Sequence, residues 1–152
     1  MKIREYDMKD YDRLKKLMEE FTKEMGTAFD EKRFKKSVNR RYGDSLNNKG
    51  MIIAEEGDKI IGMVFCEVLV SSSTVETYGN IASFVVDKEY RNKGTGNALI
   101  EQAVNFFSDM GVNRVETNVR SLEREGKIFI ERYGFKKKYI VLERSLENIK
   151  RD

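Results

Sequence analysis

The sequence predicts an α+β domain in which helices flank a mixed β-sheet. Apolar stretches of strand length recur along the chain, and longer segments with apolar residues at helical spacing lie between them. The resulting order of elements is β-α-α-β-β-β-α-β-α-β. The chain has 152 residues, of which 39% are hydrophobic and 36% are charged, and this suits one folded domain with a packed core. We therefore expect residues 1–152 to form a single domain.

The first part of the chain predicts a strand followed by two helices. The short strand is Met1–Glu5. From Asp10 to Met25 apolar side chains fall on one helical face, and Gly26 is a typical helix stop. Asp30 is a suitable N-cap for the second helix, whose apolar face continues to Leu46.

Three strands are predicted next. Met51–Ala54 and Lys59–Val70 are joined by Glu56–Asp58, whose composition is typical of a tight hairpin turn. Tyr78–Asp87 is the third strand of this group. Cys66 lies within the apolar pattern of the middle strand, which favours a small buried core residue over a reactive one.

The most informative segment is the turn Arg91–Gly96, which joins a strand pattern to the helix predicted from Asn97 to Met110. Two glycines where a helix begins leave backbone N–H groups exposed, and these suit a phosphate together with the positive helix end. We therefore expect a phosphate-bearing cofactor. A P-loop is excluded because its Gly-Lys-Ser/Thr ending is missing. A Rossmann fingerprint is excluded because Leu99 replaces the third glycine or alanine.

The last part of the chain predicts a strand, a helix and a final strand. Val112–Val119 alternates apolar and polar residues. Ser121 can cap a helix that closes at Gly134. Phe135–Leu142 is predicted as the last strand, and the charged tail Glu143–Asp152 is expected to fray.

The composition excludes several kinds of site. The absence of histidine rules out Ser-His and Cys-His dyads, and a single cysteine rules out an internal disulfide. The 29 basic and 26 acidic residues are interspersed, and Lys136–Lys138 is interpreted as a solvated strand end, so a nucleic-acid partner is not expected. There is no apolar run of membrane-spanning length and no apolar signal region at the N-terminus. We therefore expect a cytoplasmic protein without a membrane partner.

The segment Val86–Ile100 resembles motif A of the GNAT superfamily of N-acetyltransferases, whose core is Arg/Gln-x-x-Gly-x-Gly/Ala. Arg91, Gly94 and Gly96 stand at its defining positions. Further along, Phe129–Phe135 resembles the family's Tyr-Glu-Lys-Leu-Gly-Phe segment, and the order of elements matches as well. The resemblance implies the GNAT acyl-CoA N-acyltransferase fold, with a mixed, mainly antiparallel sheet, and acetyl-CoA as co-substrate.

The resemblance also implies how acetyl-CoA would be held. The pantetheine arm would pair like an extra strand with Phe84–Val86, provided that the neighbouring strand splays away. The pyrophosphate would meet the amides at the start of the helix, with added charge from Arg91 and Lys93. The cofactor-binding residues implied in this way are Phe84, Val85, Val86, Arg91, Asn92, Lys93, Gly94, Thr95, Gly96 and Asn97.

For catalysis, the resemblance implies that the Val86 N–H polarises the acetyl carbonyl. A tyrosine that often protonates the departing thiolate is replaced here by Ile130, and Tyr133, one turn later, is the alternative donor or simply a packed aromatic. Glu123 stands where an asparagine often binds pantetheine. For the general base, Glu67 is the main candidate, since burial could raise its pKa, although a solvated sheet-face residue is the plainer interpretation.

The sequence leaves the acceptor open. We expect direct transfer to a primary amine, because no histidine is present and Cys66 is poorly placed for an acetyl-enzyme. A small-molecule amine is slightly favoured over protein N-termini or lysines, and a non-catalytic acetyl-CoA-binding module is the alternative from another class. Family members often dimerise, so a homodimer is one option for the assembly.

Overall fold

The computed structural model describes residues 1–119 and 124–147. The chain divides into two compact units, Met1–Asn118 and Val119–Asp152. The helix cap expected at Ser121, the position of Glu123 and residues 148–152 of the tail lie outside the described residues. The single domain expected over residues 1–152 stays a prediction.

The first unit is built on a five-stranded sheet in the order β1-β2-β3-β4-β5. The strands are Lys2–Glu5 (β1), Met51–Glu56 (β2), Lys59–Val70 (β3), Thr77–Val86 (β4) and Val115–Thr117 (β5). Strands β1 to β4 pair antiparallel with their neighbours and β5 runs parallel to β4, so the sheet is mixed and mainly antiparallel, as predicted. β5 is shorter than the predicted Val112–Val119.

Three α-helices belong to this unit: Tyr11–Met25 (α1), Glu31–Tyr42 (α2) and Thr95–Asp109 (α3). Gly26 ends α1 in the left-handed conformation with φ 72°, and the Asp30 side chain accepts a hydrogen bond from the Arg33 N–H at 3.1 Å, so both predicted helix ends are confirmed. The prediction that α2 continues to Leu46 is wrong. The Leu46 side chain is 55% exposed, so it lacks the packing surface that stabilises a further helical turn.

The core lies on both faces of the sheet. One face packs against α1 and α2, and its buried strand residues are Met51, Ile53, Ile60, Met63, Phe65 and Val85. Successive strand residues point to opposite faces, so the positions between them face α3. On that second face a Cβ at Gly62 would lie 2.9 Å from Leu99 Cδ1 and 3.3 Å from Thr95 Cγ2. The missing side chain of Gly62 therefore lets the start of α3 approach β3 closely.

In the second unit, residues 124–147 contain the helix Glu125–Glu131 (α4). The Phe129 ring packs edge-on against Tyr133 and Phe135, with ring centroids 5.3 and 5.1 Å apart. The strand predicted over Phe135–Leu142 is wrong for the described residues, since no described strand pairs with this segment. An apolar pattern needs a neighbouring ladder to become a strand, and the side chains from Tyr139 to Leu142 are instead 71–89% exposed.

Candidate functional site

Two neighbouring strands diverge midway along β4. β5 pairs with β4 only at Gly79–Ile81, and the Thr117 hydroxyl donates to the Ile81 carbonyl at 3.1 Å at the last step of this ladder. β4 continues to Val86 while still paired with β3. Among the described strands, only β3 pairs with Val85 and Val86, and we call this stretch the open edge of β4. An extended amide-rich ligand needs such a strand edge in order to pair with it.

The backbone polar groups of Val86 point into this gap. The Asp87 N–H donates to the Ile61 carbonyl at 2.7 Å. Backbone groups alternate between the two sides of a strand, so the N–H and C=O of Val86 point away from β3. On that side the Val86 carbonyl accepts a hydrogen bond from Arg91 Nε at 3.1 Å. By the same alternation the N–H of Val85 faces β3.

A β-bulge lies just before this segment. Phe65 pairs with Ser83 and Cys66 pairs with Ile81, so Ala82 is an extra residue in β4. Bulges bend a strand and change the direction of the residues that follow. The bulge therefore separates the part of β4 that β5 covers from the part that is open.

The glycine turn places left-handed residues on both sides of Lys93. Asn92 has φ 60° and Gly94 has φ 88°. Alternation between left- and right-handed residues turns successive N–H groups toward one point and makes an anion-binding concavity. α3 begins at Thr95, two residues before the predicted Asn97, and within the described chain no side chain caps it. The first-turn N–H groups of Thr95, Gly96 and Asn97 thus face outward at the positive end of the helix.

The two basic side chains of the turn have intramolecular partners. Arg91 forms a bidentate ion pair with Glu24 of α1, with N–O distances of 2.6 and 2.8 Å. This hydrogen bonding lowers the pKa of the Glu24 carboxyl. The Lys93 ammonium lies 5.5 Å from the centroid of the Tyr90 ring.

The candidate base Glu67 joins α2 to the sheet. Arg41 Nη1 donates to its Oε2 at 3.0 Å and Asn80 Nδ2 donates to its Oε1 at 3.0 Å. The Glu67 side chain is 24% exposed, so the carboxylate is a half-buried bridge rather than a freely solvated sheet-face residue. Arg41 lies in α2 and Glu67 in β3, so no local sequence pattern predicts that the two side chains pair.

Tyr133, considered as a proton donor, and Cys66, considered as a carrier of the acyl group, both lie in apolar surroundings. Tyr133, in the second unit, packs on Phe129, and burial raises the pKa of its hydroxyl although Arg132 opposes the shift. Cys66 is 2% exposed, and burial raises the pKa of its thiol to about 12. The prediction that Cys66 is a small core residue is confirmed.

A cavity of about 220 Å³ lies between α1 and the end of β4. Its acidic and basic lining residues are Glu20, Glu24, Lys59, Asp87, Lys88, Glu89 and Arg91. Lys59 Nζ lies 3.0 Å from Asp87 Oδ2. Burial raises the pKa of Asp87, but the Glu89 N–H and Lys59 outweigh this effect, so the pKa lies below its ordinary value. Sequence reasoning did not assign Lys59 or Asp87 to the site, and it did not predict the ion pair between Glu24 and Arg91.

The family model of the acetyltransferase (GNAT) family matches residues 14–135. This range includes the open edge of β4, the glycine turn and the whole of α3. The chain belongs to the GNAT acetyltransferase family. The resemblance seen in Val86–Ile100 and the fold class are thereby confirmed.

Individual proteins resemble this chain in sequence or in structure. An uncharacterized N-acetyltransferase of Methanocaldococcus jannaschii is 32% identical over 94 residues, which are 60% of this chain and 41% of that protein. This chain thus matches less than half the length of that relative. An integron cassette protein from the Cole Harbour salt marsh metagenome superposes with a TM-score of 0.79 at 21% identity, covering 95% of this chain and 90% of the other.

A further structural neighbour is an aminoglycoside acetyltransferase from an uncultured soil metagenomic sample. It superposes with a TM-score of 0.72 at 16% identity, covering 96% of each chain. At this identity the likeness establishes the GNAT fold. In the described residues, no helix has the length and apolarity needed to span a bilayer, and no cluster of acidic or cysteine side chains has metal-site geometry.

Proposed function

We propose that this protein transfers the acetyl group of acetyl-CoA to a primary amine of a small molecule. The observation that carries the proposal is the open edge of β4 at Val85 and Val86, where the Val86 N–H points away from β3, beside the uncapped start of α3. The open edge suits an amide-rich arm, and the helix start suits a pyrophosphate. These two features lie at the two ends of one short connection, which is the arrangement an acyl-CoA requires. This fit supports acetyl-CoA, the donor that GNAT proteins generally use.

In the proposed reaction Val86 stabilises charge on the acyl oxygen. Its N–H points into the gap between β4 and β5, where it would donate to the carbonyl as negative charge develops. The thioester supplies the acetyl group: its C–S bond breaks as the amine nitrogen forms the C–N bond, and the sulfur leaves as thiolate. The amine must be neutral to attack, and its proton then passes to water or to a side chain. Proximity and carbonyl polarisation would supply most of the rate.

Two side chains stay candidates for proton transfer in this proposal. Glu67 would accept the amine proton, and Tyr133 would protonate the thiolate. The proposal does not depend on either, because direct attack by a neutral amine needs only water as proton acceptor. The cytoplasmic location expected from the sequence stays a prediction, and so does a homodimer.

The charge of the cavity supports a cationic small molecule. Glu20 and Glu89 line it together with Lys88, while Glu24 and Asp87 are paired with Arg91 and Lys59, so four acidic and three basic lining side chains leave a net charge of −1. A protonated polyamine or aminoglycoside would be attracted to such a surface before it loses a proton. That one structural neighbour is an aminoglycoside acetyltransferase is consistent with this acceptor class.

The decisive experiment is a calorimetric titration of acetyl-CoA into the native protein and two variants. Gly94→Asp places a carboxylate at the anion site, and Gly94→Asn places a neutral side chain of the same shape there. Both residues tolerate a left-handed backbone better than other side chains, so the pair isolates the effect of charge. We expect tight binding by the native chain, a moderate loss in Gly94→Asn and a much larger loss in Gly94→Asp. A folded native chain that does not bind would overturn the proposal.

Turnover then identifies the acceptor. Release of free thiol from acetyl-CoA is measured with a polyamine, an aminoglycoside, a free amino acid, and peptides with a free N-terminus or an internal lysine. Turnover with the small amines supports the proposal. Turnover with peptides alone would make this a protein acetyltransferase, and binding without any turnover would make it a binding module.

A further inference from the structure

The Arg91 side chain ties the end of α1 to the end of β4. Its Nη1 and Nη2 donate to the two carboxylate oxygens of Glu24 at 2.8 and 2.6 Å, and its Nε donates to the Val86 carbonyl at 3.1 Å. Glu24 lies in the last turn of α1. All three nitrogens of one guanidinium therefore hold partners within the protein, and the planar fork fixes the relative positions of the two partners.

The peptide group that joins Val86 to Asp87 is held at both of its polar atoms. Arg91 holds its carbonyl oxygen, and the Ile61 carbonyl accepts the hydrogen bond from its N–H at 2.7 Å. The Asp87 side chain is itself held, since it accepts from the Glu89 N–H at 2.9 Å and lies 3.0 Å from Lys59 Nζ. The chain leaves β4 along a direction that these contacts determine.

We propose that Arg91 is a positioning residue for the acyl site, with Glu24 as its anchor. Together they set the orientation of Val86. The N–H of Val86 belongs to the peptide group Val85–Val86, which directly precedes the held peptide group Val86–Asp87. The inference rests on the proposed function, because it assigns to Val86 the task of polarising the acyl carbonyl. In this proposal Arg91 positions Val86, whereas the sequence predicts that Arg91 contacts the cofactor's pyrophosphate as an added positive charge.

The two roles of Arg91 make opposite predictions for Glu24. If Arg91 bound pyrophosphate, the Glu24 carboxylate would compete for the same two N–H donors, and neutralising Glu24 would strengthen cofactor binding. If Arg91 positions Val86, neutralising Glu24 loosens the guanidinium and lowers the rate while cofactor binding stays nearly constant. A displacement of a fraction of an ångström at a donor of this kind is enough to slow a reaction.

The test compares Glu24→Gln and Arg91→Gln with the native protein. The matched control is Glu19→Gln, an exposed carboxylate on the same helix that does not line the cavity. We expect both site variants to lower kcat about tenfold and to leave the KM for acetyl-CoA and the calorimetric Kd for coenzyme A within about twofold. We expect the control to behave as native. Tighter coenzyme A binding in Glu24→Gln, or binding lost in Arg91→Gln with kcat unchanged, would overturn the inference.

Hydrogen exchange separates this inference from the proposed function. The Asp87 amide is followed in the native protein, in Glu24→Gln and in Glu19→Gln, without any substrate. We expect Glu24→Gln alone to exchange faster at Asp87, with unchanged protection of β2. If the Asp87 amide in Glu24→Gln exchanges at the native rate, the anchoring is rejected even if the protein is an active enzyme. If that amide exchanges faster in a protein that shows no turnover, the anchoring is supported and only the acetyltransferase reaction is rejected.

Discussion

Arg4 and Asp10 form a bidentate ion pair in which Nη1 and Nη2 each lie 2.8 Å from one carboxylate oxygen. The Asp10 side chain is fully buried, and Arg13 donates to it as well at 2.8 Å. Glu55 completes the group by accepting from both arginines. These four side chains connect β1, α1 and β2. Burying a carboxylate is unfavourable unless it is paired, so this group makes the start of α1 depend on β1.

Replacing Asp10 with asparagine is expected to lower the free energy of unfolding by about 2–3 kcal/mol, since two arginines lose their shared buried partner. The control is Asp12→Asn, an exposed carboxylate in the first turn of α1, two residues after Asp10, which we expect to be nearly neutral. Urea unfolding at pH 7 measures both variants. Equal stabilities of the two variants would show that the ion pair contributes nothing.

The same residue predicts a dependence of stability on pH. Burial raises the pKa of Asp10, but hydrogen bonds from Arg4, the Asp7 N–H and Arg13 outweigh it and lower the pKa to about 2. Because the pKa of Asp10 is lower in the folded protein than in the unfolded chain, the ionised carboxylate stabilises the fold at pH values above the unfolded pKa near 3.8. This stabilisation is lost as the pH falls to about 2. The lost contribution is about 2 kcal/mol. Unfolding curves of the native protein and Asp10→Asn should therefore converge as the pH falls from 4 to 2.

Gly62 is predicted to be intolerant of a side chain. A Cβ would lie 2.9 Å from Leu99 Cδ1 and 3.2 Å from the Val85 carbonyl oxygen, so it would push α3 away from the end of β4. We expect Gly62→Ala to destabilise the protein by about 1–3 kcal/mol and to weaken acetyl-CoA binding, because the first turn of α3 moves. Gly43→Ala is the control, since a Cβ there meets only ordinary contacts at 3.4 Å or more. Thermal unfolding and calorimetry of both variants decide the question.

The parts of the fold that the sequence predicts are those with local causes. Gly26 and Asp30 act on their own helices, and the turn Asn92–Gly94 follows from glycine chemistry, so each is visible in a few residues. The splaying of β4 from β5 depends on long-range pairing, which no local pattern contains. The failed strand Phe135–Leu142 makes the same point, because an apolar run predicts a strand only where a neighbour supplies the ladder.

The candidate site divides in the same way. Val86 and the residues of the glycine turn could be named from a motif. The partners Glu24 and Arg41 could not, because an ion pair between distant residues leaves no spacing signal in a chain with 36% charged residues. The bulge at Ala82 also depends on the register of two strands, which sequence patterns do not fix.

The bridge formed by Glu67 predicts a structural role that dominates any catalytic one. In Glu67→Gln one oxygen can still accept from Asn80, but the ion pair with Arg41 is lost. We expect a stability loss of about 1 kcal/mol and a kcat within about threefold of native. The reverse charge deletion, Arg41→Gln, should cause a similar stability loss. A kcat at least about a hundredfold lower in Glu67→Gln, with an altered acidic limb of the pH profile, would instead establish Glu67 as the general base.

Burial of Cys66 predicts that the proposed reaction does not pass through an acetyl group on this thiol. A thiol with a pKa of about 12 has almost no thiolate at neutral pH, and its 2% exposure keeps it from both substrates. We expect Cys66→Ala to keep native kcat and to lose about 1 kcal/mol of stability from the smaller side chain. Native protein should react with a thiol reagent only after unfolding. Radiolabelled acetyl-CoA, incubated with the native protein without an amine, should leave no label on the chain. If the native protein retains label and Cys66→Ala does not, the reaction passes through an acetyl-enzyme at Cys66 and direct transfer is wrong.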